Sequence, residues 1–446
     1  MTIGVGLLGL GTVGAGVAAI LASPQGRHPL VESLALRRVA VRDPGRARAV
    51  ALPPGCLTTH PEEVVDDPAV EIVVEVMGGL EPARSLILRA IAAGKPVVTA
   101  NKAVIARHGQ EIAAAAAERG VYVLIEAAVG GGIPIIEPLK QSLGGNRIQR
   151  VSGIINGTTN YILSRMAEEG AAYADVLADA QRLGYAEADP AADVQGGDAA
   201  DKIAILAGLA YGGPIPRQEI PTEGIDRLDS RDVAYAAQLG FVVKLLAVAE
   251  RMTEAPAEGA APDPGGPDPL PLDVRVHPTL LPRQHPLAGV HGVNNAILVE
   301  GDPVGQVMFY GPGAGAGPTA SAVVADILNI AGIRQVGGSD PAAGLDPLLA
   351  ANSWRRCCLV DGARTRHRNY VRLRTRDEAG VIGRIGNCFG HAGVSIQSIV
   401  QFEAREDGAE IVVITHEVLE ARFREALAAI EALADVEAVA ACLRTL

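Results

Sequence analysis

The first fourteen residues constrain the fold more than any other part of the chain. An apolar run, Ile3–Leu8, is followed at once by a GxGxxG pattern at residues 9–14, and the pattern of residues 13–22 is helical. In such a pattern the first glycine permits a tight turn, the second lets a pyrophosphate approach the backbone, and the third allows the helix to pack closely on the strand. The free N–H groups at the helix N-terminus would face the phosphates. The chain is therefore expected to begin with a dinucleotide-binding strand–helix unit.

The rest of the first 130 residues alternates short apolar runs with helical patterns. The predicted strands are Val39–Val41, Glu71–Val76, Pro96–Thr99 and Tyr122–Ile125, and the predicted helices are Pro82–Ala93 and Ala103–Arg119. Strands that alternate with helices predict an α/β fold with a doubly wound parallel sheet. Only 3% of the residues are aromatic, so the core must consist mainly of small aliphatic side chains, which suits helices packed closely on such a sheet.

Two further regions follow. Residues 131–310 mix helical and strand-like segments and are expected to form an α+β domain, while a glycine loop and helix beginning at residue 311 should return to complete the first domain through residue 340. Residues 253–271, dense in Pro and Gly, have strand-like flanks and are interpreted as a flexible hairpin tip. After a polar connector at 340–369, residues 366–446 show the strand and helix order βαββαβ of a ferredoxin-like domain.

Length and composition limit the possible partners. A chain of 446 residues should hold two or three domains, and its formal charge of −12 argues against nucleic acid as a general partner. No run of uncharged apolar residues reaches the ~18 to 20 needed to cross a bilayer. The N-terminus also lacks the basic start of a signal peptide. Five scattered cysteines indicate neither a disulfide framework nor a zinc site, so a cytoplasmic location is expected, without a membrane partner.

The segment LGYAEADPAADVQGGDAADK, residues 183–202, gathers Glu187, Asp198 and Lys202 in front of an apolar helical run. Asp198 and Lys202 stand one helical turn apart, on a helix that Gly196 and Gly197 should begin. A lysine held beside carboxylates at the edge of an apolar helix can serve as a tuned proton donor. An ordinary surface ion pair between Asp198 and Lys202 is the alternative.

Thr99-Ala100-Asn101-Lys102 follows a predicted strand and should lie at the carboxyl edge of the sheet, where ligands bind in such folds. The Lys102 ammonium could contact a ribose, a phosphate or a substrate carboxylate there. In the alternative interpretation Asn101 caps the next helix and Lys102 is an exposed first-turn residue.

Arg42 follows the second strand, where a site that prefers NAD usually carries an acidic residue. Arg42, with Arg46 or Arg48, could pair with a 2′-phosphate and so favours NADP. Asp43 is adjacent and the gap from the glycines is long, so NAD stays possible, and a solvated turn is the alternative.

The glycine-rich residues 126–133, EAAVGGGI, follow the last predicted strand of the first domain. Carbonyl groups turned inward by such a loop could hold a monovalent cation, or the loop could be only a tight crossover. The residues alone favour the crossover.

Taken together, five motifs resemble homoserine dehydrogenase, and the match runs from residue 1 to about residue 335. They lie at residues 9–14 (GLGTVG), 99–102 (TANK), 126–136 (EAAVGGGIPII), 153–163 (GIINGTTNYIL) and 183–202. That family interconverts L-aspartate 4-semialdehyde and L-homoserine with NAD(P)H, in threonine, methionine and isoleucine biosynthesis. The resemblance also implies that residues 131–310 serve catalysis and dimerisation.

By resemblance, Lys202 is the proton donor to the aldehyde oxygen, Glu187 a substrate ligand and Asp198 its partner in the substrate pocket. Lys102 supplies an ammonium on the cofactor or substrate side. The implied cofactor-binding residues are Gly9, Leu10, Gly11, Thr12, Val13, Gly14, Arg42, Thr99, Lys102 and Gly315. The implied sodium site consists of the backbone carbonyls of Glu126, Val129, Gly131 and Ile133.

The C-terminal domain is similar to an ACT domain, with residues 377–383 at its first strand–helix turn, where effector loops lie. L-threonine is the inhibitor that this resemblance implies, and a domain that only pairs subunits is the alternative. A homodimer or homotetramer is expected. Two other functions remain open: another amino-acid semialdehyde or keto-acid dehydrogenase, and a non-catalytic sensor of NADP(H) and an amino acid.

Overall fold

The computed structural model describes residues 2–48, 50–252, 269–335, 355–405 and 408–446. The chain folds into two compact units. The first unit comprises Met1–Val151, Asp201–Gln218 and Asn294–Cys357, and the second comprises Ser152–Ala200, Glu219–Val293 and Cys358–Leu446.

A six-stranded sheet forms the centre of the first unit. Its strands are β1 (Ile3–Leu8), β2 (Leu34–Ala40), β3 (Leu57–Thr58), β4 (Ile72–Glu75), β5 (Val97–Thr99) and β6 (Val123–Leu124). The strand order is β3-β2-β1-β4-β5-β6, and every neighbouring pair is parallel. This is the order of a dinucleotide-binding sheet, and it confirms the predicted fold class. The carboxyl ends of β1, β4 and β5 therefore meet at one edge.

Helices cover both faces of this sheet. They are α1 (Thr12–Ala22) and α11 (Ala316–Gln335) on one face, and α2 (Pro61–Asp66), α3 (Ala83–Ala92) and α4 (Lys102–Arg119) on the other. The first unit also contains the short helix α5 (Ile136–Lys140). The strand interiors consist of Val, Ile and Leu because a parallel sheet is buried on both faces. Val17 of α1 packs in one core with Val323 and Ile327 of α11, and none of the three is exposed. Helix α11 is the one described helix with the length and hydropathy of a membrane span, but half of that stretch is buried in the core.

The first unit also contains the antiparallel hairpin of β10 (Asn294–Asp302) and β11 (Gly305–Pro312). Among the strands and α-helices of the described residues, three continue from one unit into the other along the chain: β7 (Arg147–Ile154), α9 (Gly197–Tyr211) and β12 (Cys357–Leu359). Helix α9 begins at the predicted glycine pair, where Gly196 has a φ of +83°. Such a backbone conformation favours glycine, so the helix start is fixed by the sequence.

The second unit combines α6 (Gly157–Glu169), α7 (Tyr173–Arg182), α8 (Ala191–Val194) and α10 (Ser230–Gln238) with a mixed sheet. The strands of that sheet are β8 (Phe241–Arg251), β9 (Leu270–Pro282), β13 (Arg366–Thr375), β14 (Ile396–Arg405), β15 (Gly408–Thr415) and β17 (Val436–Thr445). Their order is β8-β9-β17-β13-β15-β14, where only the β17–β9 pair is parallel.

The C-terminal part of the second unit shows the predicted βαββαβ order. Helices α12 (Val381–His391) and α13 (Glu420–Glu431) alternate with β13, β14, β15 and β17, and a two-residue strand, β16 (Val418–Leu419), pairs with β13. Leu373, Phe389 and Phe423 belong to the core between the helices and one face of the sheet.

The structure corrects some boundaries. Strand β2 begins at Leu34 rather than Val39, since Arg37 and Arg38 obscure its apolar pattern in the sequence. Strands β8 and β9 pair through Arg251 and Leu272, as predicted for the flanks of residues 253–271. Residues 253–268 lie outside the described residues, but Leu270 already belongs to β9. Within the predicted polar connector, residues 357–359 form a short strand, β12 (Cys357–Leu359), and 336–354 are outside the described residues.

Candidate active site

The glycine pattern at residues 9–14 has two structural glycines and one that faces open space. Gly9 has a φ of +107°, and a Cβ there would lie 2.8 Å from the Val76 carbonyl oxygen. A Cβ on Gly14 would lie 2.3 Å from the Gly9 oxygen, closer than real Cβ atoms come. At Gly11 no atom lies within 4 Å of a built Cβ, and Gly11 and Thr12 are exposed at the start of α1. The arrangement leaves room for a pyrophosphate at the helix N-terminus.

Next to this loop, Thr99 is part of a buried hydrogen-bond network at the carboxyl edge of the sheet. Its hydroxyl donates to Glu75 Oε2 at 2.6 Å and accepts from the Asn101 N–H at 3.0 Å. Glu75 also accepts the Met77 N–H at 2.8 Å, and both Glu75 and Thr99 have no exposed surface. The network ties the ends of β4 and β5 together and fixes the backbone that leads into α4.

Asn101 caps α4, since its side-chain oxygen accepts the Val104 N–H at 3.3 Å. Its amide also donates to the Gly79 carbonyl at 2.8 Å. The capping role considered for Asn101 is therefore confirmed. Lys102 is the first residue of α4 and is half-buried rather than exposed, at the same edge as residues 9–14.

Arg42 is exposed just after β2. Arg48 is held by the turn itself, donating to the carbonyls of Asp43, Pro44 and Arg46 at 2.5, 3.1 and 2.7 Å. Of the three arginines considered for a 2′-phosphate, Arg48 thus donates to carbonyl groups of its own turn, and Arg42 lies nearest to the strand, two residues after its end at Ala40.

The loop at residues 126–133 packs against the second glycine loop. A Cβ on Gly131 would lie 2.3 Å from the Gly313 oxygen, and the Gly132 N–H donates to the Pro312 carbonyl at 3.0 Å. Gly315, with a φ of +123°, precedes α11. Among the turn and loop hydrogen bonds of the described chain, none ends on the carbonyl of Val129, Gly131 or Ile133, although all three residues are buried. Buried carbonyls of this kind fit a hard monovalent cation.

The Glu126 side chain supports the same loop from within. Its two carboxylate oxygens accept the N–H groups of Ile135, Ile136 and Glu137 at 2.6, 2.9 and 2.8 Å. Its own N–H donates to Asp326 Oδ2 at 2.9 Å. Burial raises the pKa of the Glu126 carboxyl group, and burial together with the nearby Glu126 raises the pKa of Asp326 well above its usual value.

In the second unit, Asn156 joins two carboxylates. Asn156 caps α6, and its amide nitrogen donates to Asp193 Oδ1 at 2.7 Å and to Asp198 Oδ2 at 2.9 Å. Its oxygen accepts the N–H and hydroxyl of Thr159 at 2.9 and 3.0 Å. The sequence alone includes Asn156 in the motif at residues 153–163 but assigns it no role. The polar run NGTT, directly after an apolar strand, was the signal that could have marked it as a functional residue.

Asp198 and Lys202 lie one turn apart on α9, and only 8% and 9% of their surfaces are exposed. An ordinary surface ion pair is therefore the wrong interpretation. Glu187 is exposed in the turn before α8, where its carbonyl accepts a hydrogen bond from Gln181 Nε2 at 3.1 Å. The structure thus places Glu187 and Asp198 in the second unit, and Lys102 and Lys202 in the first.

Three family models match the chain. The model described as homoserine dehydrogenase matches residues 134–328, that of the homoserine dehydrogenase NAD binding domain matches residues 9–126, and that of the ACT domain matches residues 369–435.

Proteins named homoserine dehydrogenase are similar to this chain over almost their full length. A homoserine dehydrogenase of Synechocystis sp. is 56% identical over 446 residues, covering 100% of both chains. One of Corynebacterium glutamicum is 40% identical over 99% of this chain and 95% of its own. The solved homoserine dehydrogenase of Thiobacillus denitrificans is similar with a TM-score of 0.90 and 42% identity, covering 100% of this chain and 98% of that one. A hyperthermophilic archaeal homoserine dehydrogenase in complex with NADPH covers 75% of this chain and 98% of its own, with a TM-score of 0.59 and 27% identity.

Proposed function

Because this chain belongs to the homoserine dehydrogenase family and is an oxidoreductase with an NAD(P)-binding domain, we propose that it interconverts L-aspartate 4-semialdehyde and L-homoserine. The observation that carries the proposal is the pair Asp198 and Lys202, buried one turn apart on α9, in a chain that begins with a dinucleotide-binding sheet. The three family-model matches, at residues 9–126, 134–328 and 369–435, support the proposed division into a dinucleotide-binding, a catalytic and an ACT domain.

The reduction requires a hydride at the aldehyde carbon and a proton at the aldehyde oxygen. Bound NAD(P)H supplies the hydride. Lys202 is the proton donor in this proposal, since the residue is buried and water screens charges little in such surroundings. As negative charge develops on the oxygen, a nearby fixed ammonium stabilises it by several kcal/mol, on the order of 3 to 4.

The remaining candidates have binding and positioning roles. Glu187 attracts the substrate ammonium and Asp198 is its partner in the substrate pocket, while Lys102 binds on the cofactor or substrate side. Asn156 is a positioning residue, because one amide group donates to both Asp193 and Asp198 and holds the two carboxylates in place.

The cofactor is proposed to lie along residues 9–14, with Thr99, Lys102 and Gly315 beside it. Arg42 supports a preference for NADP over NAD because it is exposed just after β2, where a 2′-phosphate would be recognised. Val129, Gly131 and Ile133 are buried, which supports the proposal that their carbonyl groups bind a sodium ion together with the carbonyl group of Glu126.

The ACT domain suggests control by an amino acid, and we propose that L-threonine is the inhibitor. The N-terminus of α12 follows residues 377–380 and begins after Gly380, which has a φ of +89° and provides no side-chain cap. A homodimer or homotetramer and a cytoplasmic location stay predictions from the sequence.

The proposed function is tested by following absorbance of the reduced nicotinamide with L-aspartate 4-semialdehyde and either NADPH or NADH. We expect Lys202→Ala to lower kcat at least about 100-fold, with a much smaller change in KM, since the ammonium acts mainly in the transition state. Lys95→Ala, a matched lysine change in the first unit whose ammonium donates to the Asp67 carbonyl at 2.6 Å, should leave kcat unchanged.

Three outcomes separate the alternatives. An unchanged kcat in Lys202→Ala would remove Lys202 from proton transfer. Faster turnover of another amino-acid semialdehyde or keto acid would identify a different dehydrogenase, and binding of both ligands without turnover would identify a sensor. Repeating the assay with L-threonine tests the regulatory proposal, and indifference to threonine would favour a domain that only pairs subunits.

A further inference from the structure

Helices α4 and α9 of the first unit are joined by a buried carboxylate. Asp201 Oδ2 accepts from Arg107 Nη1 of α4 at 3.1 Å, and Asp201 Oδ1 accepts from Arg217 Nε at 2.7 Å. The Asp201 side chain is only 9% exposed. Arg107 and Arg217 thus share one carboxylate.

A cavity of about 440 Å³ lies beside this cluster, between α4, the described first-unit part of α9, and residues 213–218. Its walls are aliphatic, with Ile105, Ile125, Ile205, Leu209 and Ile215 among the lining residues. Small residues face it from both helices: Ala106, Gly109 and Ala113 on α4, and Ala204 and Gly208 on α9. The volume falls within the range of small-molecule sites, and small side chains on both helices keep it from being filled.

The polar lining residues define what could bind. In the described part of the chain, Arg107 and Arg217 are the charged residues that line the cavity, and Gln110 and Gln218 are the amides. A ligand carboxylate could accept hydrogen bonds from the two guanidinium groups that line the cavity, as the Asp201 carboxylate does. A ligand with an aliphatic body would remove the isoleucine and leucine surfaces from water.

We propose that this cavity is a binding site for a small aliphatic monocarboxylate, with its carboxylate at Arg107 and Arg217 and its apolar body between α4 and α9. The site is separate from the glycine loop at residues 9–14 and from the loop at residues 126–133, because neither loop is among the described residues that line the cavity. Ile125, directly before the second loop, does line it.

Occupation of the cavity has a consequence for the proposed catalytic lysines, and this step rests on the proposed function. Ile105 and Gly109 follow Lys102 by three and seven residues on α4, so the three residues share one helix face. Ile205 and Leu209 follow Lys202 in the same spacing on α9. A ligand packed between these faces sets the spacing of the helices that carry both lysines, so it should change kcat without competing with the cofactor.

Binding is tested by isothermal titration calorimetry on the full chain with 3-methylbutanoate as the probe, in the presence of saturating NADPH and L-homoserine. Both of these are reduced forms, so no hydride transfer between them adds heat to the titration. These two ligands keep the probe out of the proposed active site. We expect a dissociation constant on the order of 1 mM or tighter, and no binding of the neutral analogue 3-methylbutan-1-ol at the same concentrations.

Three variants assign the binding to the cavity. Ala113→Leu fills the space from α4 and should abolish binding, whereas Ala114→Leu, next to it but exposed and outside the lining, should bind as the unaltered protein does. Arg107→Gln removes one charge and leaves Asp201 its Arg217 partner, so we expect affinity to fall at least about tenfold. If Ala113→Leu fails to fold, Ala106→Leu fills the same cavity.

Absence of binding at about ten times the expected concentration would overturn the proposal, as would equal binding by Ala113→Leu and Ala114→Leu. Equal binding of the alcohol would contradict the charge argument. These titrations need no turnover, so failure of the proposed function would leave them interpretable. A probe that binds in the cavity but leaves kcat unaltered would overturn only the link to Lys102 and Lys202.

Discussion

The carboxyl groups around Glu126 in the first unit and around Arg372 in the second are both buried, but they are compensated in opposite ways. In the first unit, Glu126 accepts three successive backbone N–H groups and Asp326 accepts the N–H of Glu126. In the second unit, Arg372 forms a fork with Asp232 at 2.7 and 3.0 Å and contacts Glu410 at 3.0 Å. One region relies on backbone donors and the other on a buried cation.

The difference determines which form of each carboxyl group is favoured. At Glu126 and Asp326 burial is the largest influence, so it raises the pKa of both carboxyl groups, and that of Asp326 lies well above its ordinary value. In the second unit, hydrogen bonds from Arg231 lower the pKa of Asp229 to about 2 despite partial burial. Asp326 and Asp229 should therefore change the stability of the folded chain with opposite signs as the pH changes.

The second unit should depend most on its cation. Arg372→Met leaves Asp232 and Glu410 buried without that partner, and we expect a loss of about 3 to 5 kcal/mol in the free energy of unfolding. Urea denaturation followed by circular dichroism measures it. Arg366→Ala is the matched control on the same strand, since its pair with Glu417 is more than half exposed and should contribute under about 1 kcal/mol. Equal losses in the two variants would show that the buried cluster adds nothing.

The first unit should depend instead on close approach of its backbone. Gly14→Ala forces a Cβ to within 2.3 Å of the Gly9 oxygen, so we expect a loss of about 1 to 3 kcal/mol in the free energy of unfolding in the same denaturation experiment.

The matched variant Gly11→Ala has open space around its methyl group and should leave stability unchanged. Its methyl group occupies the path of a pyrophosphate, however, and should weaken cofactor binding at least about tenfold. Cofactor titration measures the second effect, and unaltered affinity in Gly11→Ala would place the pyrophosphate elsewhere.

The sequence predicts the first unit better than the second for a physical reason. A parallel sheet buried on both faces produces uniform apolar runs, and a glycine pattern marks the first turn. In β13, by contrast, Tyr370 and Arg372 alternate with Val371 and Leu373, which is the pattern of a strand with one solvated face. Helix α10, more than a hundred residues earlier, brings Asp232 onto that face and buries it.

The residues of the candidate site also differ in how well the sequence predicts their roles. The buried Asp198 and Lys202 could be found because both lie on one predicted helix, where spacing alone places them on the same face. The role of Asn156 could not be found, because its two carboxylate partners lie 37 and 42 residues away along the chain. Only the tertiary structure brings those groups together.

The lowered pKa of Asp229 in the second unit is tested with the variant Asp229→Asn. The folded pKa of Asp229, about 2, lies below its ordinary value of 3.8, so its contribution to stability is present above pH 3.8 and is lost as the pH falls toward 2. The variant should be less stable than the unaltered chain at neutral pH, and the gap should close on acidification. Urea denaturation at several pH values measures it, and a gap that stays constant would contradict the assignment to Asp229.

For Asp326→Asn we expect the difference in stability from the unaltered chain to change with pH in the opposite direction. Its effect on the free energy of unfolding should be the smallest of these predictions. The folded pKa of Asp326 lies above its ordinary value of 3.8, so the folded chain retains a proton that the unfolded chain loses, and stability falls as the pH rises above that value. Asparagine has no proton to lose, and its oxygen can still accept the Glu126 N–H that Asp326 now accepts at 2.9 Å. Denaturation curves at about pH 5 and about pH 8 should therefore show the variant gaining on the unaltered chain as the pH rises. Parallel curves would mean that Asp326 is ionised in the folded protein, and the contrast between the two units would then be wrong.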